Sequence, residues 1–421
     1  MEDQKETTVP EPVAVSTLAG TELDCSVASW LRFPLIAMVV LIHVTLFYWF
    51  SEDYAPWFKS VISWVSDVHR FPVALVLIQF VQEVLTRVAL PLFLFIAGYF
   101  YFLNINKLTP SIWIAKSKRR IFSLLIPYVV WNFLAMLQIY VRWLAAGDSG
   151  DLSAFLHWAV AFRGGDLTCF VGEGNPVAGL IAMTFAGTLM PGELFPRPLL
   201  EQFWFVRDLF LLSLLSPLAW WLFKRKWLGI SALALLFLSC IFWIDTGTTL
   251  LVNAKTLVFE FFFFGLGAFF SINKFCFSDI CVPARWATLL IYCVFAFVDF
   301  NWLVLGLSDL PLELRYFMRV VCIILGAMSF WGWVAKGLTN GKLVSHRFLA
   351  GASFFVFCSQ SVGCRIFETT ILRSLPKESD FEVILGFVFF TVFVLAFSIT
   401  MFWILRRYAP IALVPLAGGR K

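Results

Sequence analysis

The sequence predicts an all-α protein, a polytopic transmembrane helix bundle of about ten spans with both termini cytosolic and a long outer loop. Three observations carry that prediction. Hydrophobic residues make up 60% of the 421 and charged residues only 14%, against roughly 45–50% and about 25% in soluble domains. Apolar runs of about 20 residues, enough for a helix to cross hydrocarbon, recur along the chain. The basic residues between those runs fall on one side, as the positive-inside rule demands of cytosolic loops.

Residues 1–25 are polar and acidic, contain Pro10 and Pro12 and lack an apolar h-region, so they read as a disordered cytosolic tail and not as a cleavable signal. The transmembrane domain is predicted over 26–410. Its spans fall near 27–50, 72–104 with a break at Pro91, 121–145, 202–222, 227–247, 253–272, 286–304, 315–335, 349–372 and 382–405. Lys107, Lys116, Lys118, Arg119 and Arg120, then Lys224 to Lys226, then Lys336, Lys342 and Arg347, then Arg406 and Arg407, mark the cytosolic side. The outer loop, about 146–200, mixes polar turns with apolar stretches and is too long for a passive connector; a lid and an interfacial helix are both consistent with it. Residues 411–421 read as a cytosolic tail. No inverted repeat of the transporter type is visible.

Composition also excludes some functions. The nine cysteines contain no Cys-x-x-Cys pair and give neither a disulfide framework nor a zinc site. No metal site is expected, because His69, His157 and His346 are isolated. The net charge of +5 comes from residues that membrane topology explains, so no nucleic-acid partner is expected.

Ionisable residues inside spans carry the functional signal, because each costs about 2.5–3.5 kcal/mol on insertion. Arg32 and His43 lie in the first span, eleven residues apart, which is close to three helical turns and points both to one side. Glu83 and Arg87 are four apart, within reach of an ion pair across one turn. Trp204, Arg207 and Asp208 open the fourth span, the Trp as an interfacial anchor and the Arg-Asp pair harder to explain by anchoring. Glu260 is a carboxylate in a phenylalanine run and a candidate partner for an arginine on a neighbouring helix. Lys116, Arg119 and Arg120 are a stop signal by position; arginine forks also suit phosphate oxygens arriving from the cytosol.

In their order along the chain these segments resemble the integral-membrane acyltransferase 3 family, over about Ser29 to Lys421. Arg32 and His43 stand where that family carries an Arg-x10-His signature. The segment from Arg87 to Gly98 is similar to its second-span motif, with Ala97 where Ser is usual. Arg120 before Pro127 and Tyr128 resembles its basic motif, with Ser123 at a position often taken by Arg. Trp204 to Leu209, Phe261 to Gly267 and Ala417 to Lys421 match further segments. Ser353 to Gln360 resembles a motif that commonly ends in His, and a glutamine cannot exchange a proton near neutral pH.

The resemblance implies transfer of an acyl group, most often acetyl, from cytosolic acyl-CoA, a co-substrate and not a resident cofactor, to a hydroxyl of an extracytoplasmic or lipid-linked saccharide. It implies a bacterial inner-membrane location and envelope glycan assembly proteins as partners. His43 is then the general base, and Arg32 contacts the donor phosphates or the oxyanion. Lys116, Arg119 and Arg120 hold the nucleotide end; Glu83, Arg87, Trp204, Arg207, Asp208 and Gln360 face the acceptor. Two other classes remain open on the residues alone: a glycolipid transporter or flippase, which also needs buried charge around a polar path, and a catalytically silent scaffold, to which Gln360 points.

Overall fold

A computed structural model describes residues 20–44, 72–145, 154–155, 198–242, 249–305, 311–376 and 378–419. Every regular element among them is helical. The polytopic helical bundle expected from composition is what forms.

Helix α1 spans Gly20–His43 and starts seven residues before the predicted span. The reason is Asp24. Assigned to a tail from its polarity, it is fully buried and accepts hydrogen bonds from Tyr99 Oη (3.0 Å), the Phe277 and Ser278 amides (2.9 Å each) and Ser278 Oγ (2.5 Å). Those amides open α10 (Phe277–Leu305), so a carboxylate of one helix serves the unpaired N-terminal amides of another, adding to Asp279 in that helix's own first turn. The tail boundary at 25 is therefore corrected: residues 20–25 belong to the bundle.

The second span is α2 (Pro72–Phe80), a π-helical turn (Val81–Leu85), a 3-10 turn (Thr86–Val88) and α3 (Ala89–Phe102). The interruption comes at 81–88 and not at Pro91, which sits in the first turn of α3, where a missing N–H costs least. Helix α4 (Pro110–Arg120) is capped by Thr109, whose hydroxyl oxygen accepts from the Ile112 amide at 3.4 Å. A second π-helical turn (Ile121–Leu125) joins it to α5 (Ile126–Ala145). Then follow α6 (Trp204–Leu214), α7 (Ser216–Phe223), α8 (Lys226–Phe242), α9 (Thr249–Ile272), α10, α11 (Leu312–Thr339), α12 (Arg347–Thr370), α13 (Asp380–Tyr408) and α14 (Pro410–Ala417).

Among the described residues seven helical segments are long and apolar enough to cross a membrane; α6 and α7 form a pair bent by 57°, and α8 and residues 256–272 of α9 are shorter. Each overlaps one of the predicted apolar runs, but seven, or eight with the bent pair as one, are long enough to be spans, against about ten expected. Of the predicted outer loop only residues 154–155 and 198–200 are among those described.

Helix α1 packs against α12, α11, α3, α10 and α13, which makes it the axis of the bundle. Helices α3 and α9 meet backbone to backbone: a Cβ at Gly98 would lie 2.0 Å from the Phe264 carbonyl oxygen, and one at Gly267 would lie 2.0 Å from that of Phe95. Small residues let transmembrane helices approach this closely, where dispersion supplies the attraction that the hydrophobic effect cannot. The predicted tail 411–421 is also corrected, because residues 410–417 form α14 and pack on α5. Trp131 Nε1 donates to the Leu416 carbonyl at 3.0 Å. Gly418, in the left-handed region at φ 63°, ends α14 against the backbone of Ser123.

Candidate active site

At about 100° per residue, Arg32 and His43 fall roughly 20° apart around α1. Ala28, Ile36 and Val39 share that stripe and are buried, so it faces protein. Arg32 on the same stripe is exposed. Among the described residues its guanidinium makes no ion pair.

His43 is half-buried and ends the helix. Its Nδ1 lies 2.8 Å from the Val39 carbonyl oxygen. A carbonyl only accepts, so Nδ1 carries the proton, and the lone pair of the neutral ring is on Nε2. The end of α1 is held by a residue that the sequence reading did not single out. Gln82 Nε2 donates to the carbonyls of Leu41, in the last turn, at 2.7 Å and of Val44, just past the helix end, at 2.8 Å. Helix-end carbonyls lack intrahelical partners, and here one side-chain amide serves two of them. Gln82 can do so because it lies in the first π-helical turn. Such turns shift side-chain register within a helix and concentrate at functional sites. A polar residue beside Glu83 in an apolar span was the available signal.

Glu83 and Arg87 form the predicted ion pair, and the Arg87 Nε also donates to the Glu83 carbonyl. Both side chains remain about one-third exposed.

The basic group divides into two. Lys116 Nζ donates to the Tyr101 carbonyl and lies 4.9 Å from the centre of that ring; the Arg120 guanidinium lies 5.9 Å from it. Tyr101 is buried, and its Oη accepts from Ser216 Oγ at 2.8 Å. One aromatic ring on α3 thus fixes two cations of α4. Arg119 points to solvent. Immediately after Arg120 comes the second π-helical turn, against which Gly418 packs.

Arg207 and Asp208 are bidentate, Nε to Oδ1 at 2.6 Å and Nη2 to Oδ2 at 3.1 Å. Asp208 is 4% exposed and Glu260 1%. Glu260, on α9, is a charge neighbour of both members of the pair, but among the described residues neither of its oxygens meets a hydrogen-bond donor. Tyr128 faces the same pair from α5. Trp204 is partly buried and edge-on to Phe205 at 6.1 Å.

Gln360 is fully buried, and among the described residues neither end of its amide meets a hydrogen-bond partner. Ser29, within α1, and Ser345, two residues before α12 begins, touch at 3.3 Å. Fifteen residues beyond Ser345 and fourteen beyond Ser29, Gln360 and His43 come to a similar height along the two helices. The structure places Arg32 and His43 on α1, and Gln360 on α12 and Glu83 and Arg87 on the 81–88 segment, both of which pack against α1. It sets Lys116, Arg119 and Arg120 on α4, and Trp204, Arg207 and Asp208 on α6. No cluster of three metal-ligating side chains occurs among the described residues.

Comparison with curated proteins and with solved structures returned no match for the chain. A family model described as an acyltransferase domain, acyltransferase 3, matches residues 28–403 and so takes in α1 through most of α13 with every residue of the group above. The chain is a multi-pass membrane protein that belongs to the acyltransferase 3 family.

Proposed function

We propose that the protein transfers an acyl group, acetyl above all, from cytosolic acyl-CoA to a hydroxyl of an extracytoplasmic or lipid-linked saccharide at the bacterial inner membrane. The observation that carries this reading is the state of His43: Nδ1–H is tied to Val39, which leaves Nε2 as the basic atom at the end of a helix clamped by Gln82.

Nε2 takes the proton of the acceptor hydroxyl as its oxygen attacks the thioester carbonyl carbon. The C–O bond forms and negative charge moves to the carbonyl oxygen, while Arg32, eleven residues and about 16 Å back along α1, meets the donor phosphates. Collapse breaks the C–S bond, and the imidazolium returns its proton to the CoA thiolate. Lys116, Arg119 and Arg120 receive the nucleotide end, with Tyr101 fixing two of them in place. Gln360 donates to or accepts from the acceptor, which explains an amide buried without a protein partner. Glu83, Arg87, Trp204, Arg207 and Asp208 line the acceptor side.

The test is CoA release from acetyl-CoA by the purified protein in lipid, with an extracted envelope glycan fraction as acceptor. Glycan-dependent release should fall about 100-fold or more in His43→Ala. Release that persists in the variant moves the base elsewhere. No release by the wild type with several donors and acceptors turns the reading to a transporter or scaffold.

A further inference from the structure

A second group of charges adjoins the first, on helices that the sequence reading did not connect. Arg315 and Arg319 lie one turn apart near the start of α11, at the opposite end from Lys336. Asp299 is on α10, and Glu83 and Arg87 are on the irregular 81–88 segment, which packs against both helices. Arg87 is an electrostatic neighbour of Arg319, Asp299 and Arg315. Val84, Ala296 and Cys322 form a separate apolar cluster joining the same three elements.

Among the described residues that interact here, three guanidiniums, Arg87, Arg315 and Arg319, stand with two carboxylates, Glu83 and Asp299, and Glu313 lies in the exposed first turn of α11. Glu83 is engaged by Arg87. Arg319 Nε lies 3.6 Å from Asp299 Oδ2, too far for a hydrogen bond. Among the described residues the Nε of Arg315 and the Nε and Nη2 of Arg319 are buried without an acceptor, and Asp299 Oδ1 meets no donor. Buried guanidinium donors left unmet in a membrane span are costly, and an oxyanion held by several of them removes that cost. Arginine forks match phosphate oxygens in particular.

We infer that Arg315 and Arg319, together with Arg87, bind a phosphate or diphosphate group of the acceptor. This rests on the acyltransferase reading and narrows its acceptor to an anionic, phosphate-bearing saccharide. The placement suits it, because the segment that supplies Arg87 also supplies Gln82, which holds the His43 end of α1. The anion and the reacting hydroxyl thus sit on either side of one short stretch of chain. A membrane-borne prenyl diphosphate sugar and a free phosphorylated glycan share this chemistry.

The experiment measures binding to the full chain in phosphatidylcholine nanodiscs, with a polyprenyl diphosphate in the disc as one probe and soluble inorganic pyrophosphate as the other. Either probe should bind, and Arg315→Gln and Arg319→Gln should each weaken binding about tenfold. Asp299→Asn removes an opposing charge, and binding should be at least as tight. It serves as the check should an arginine variant fold poorly, since weakened binding there overturns the site as surely as unaltered binding in Arg315→Gln. Binding of the prenyl probe alone supports a membrane-borne source, and equal binding of both supports a free one. No binding of either overturns the inference. His43→Ala should bind both probes as the wild type does, so that loss of transfer and loss of anion binding are told apart.

Discussion

Gln82 and Leu41 are joined by a 2.7 Å hydrogen bond that ties the π-helical turn of the second span to the last turn of α1. Two residues after Leu41 comes His43. The alignment of the imidazole therefore depends on a side chain from another span.

Gln82→Leu is expected to lower kcat for glycan-dependent CoA release by about 10-fold or more while leaving KM for acetyl-CoA within about twofold. Gln82→Glu, which keeps the length and loses the donor, should behave like the leucine variant. Steady-state kinetics over a range of acetyl-CoA concentrations reads both parameters.

Tyr101 is expected to act on the other substrate. Tyr101→Leu frees Lys116 and Arg120 from the ring and should raise KM for acetyl-CoA several-fold with little change in kcat. Tyr101→Phe loses only the Ser216 hydrogen bond and should retain the wild-type KM. A rise in KM equal in both variants would assign the effect to the hydroxyl.

Gly98→Ala should cost more stability than an ordinary overpacking change of about 1–3 kcal/mol, because the added carbon meets a backbone carbonyl that cannot move aside. Gly341→Ala has open space but a φ of 68° and should cost only about 1–2 kcal/mol. Thermal unfolding in detergent, followed by size exclusion of the two variants side by side, checks the order.

Asp24→Ala removes the acceptor of four hydrogen bonds and leaves the Phe277 and Ser278 amides buried without one. A loss of about 3 kcal/mol or more is expected, with Asp24→Asn less damaging because one acceptor oxygen remains. The same unfolding measurement separates the two.

The helical bundle was legible because hydropathy of 20-residue runs is a property of the chain itself. Arg32, His43, Arg207 and Asp208 were legible for a related reason, since any charge stands out against hydrocarbon. Asp24 was misread because its justification lies some 250 residues away, on α10. The break at 81–88 was assigned to Pro91 because proline is the visible breaker, whereas a π-helical turn has no composition of its own. Gln82, Tyr101, Arg315 and Arg319 were missed because their significance is relational. A glutamine amide, a tyrosine ring or an arginine near a helix start becomes informative only when its neighbours are known.

The Asp24 contact has a consequence for biosynthesis. Helix α1 is made well before α10, and Asp24 waits for amides that lie 253 and 254 residues further on. At about 5–20 residues per second that interval is roughly 10–50 s. Throughout it, the axial helix of the bundle carries a carboxylate without its partners. Its final seating in the membrane is thus a late event in assembly, and a ribosome stalled between Tyr99 and Phe277 should leave the amino-terminal end of α1 open to a water-soluble labelling reagent.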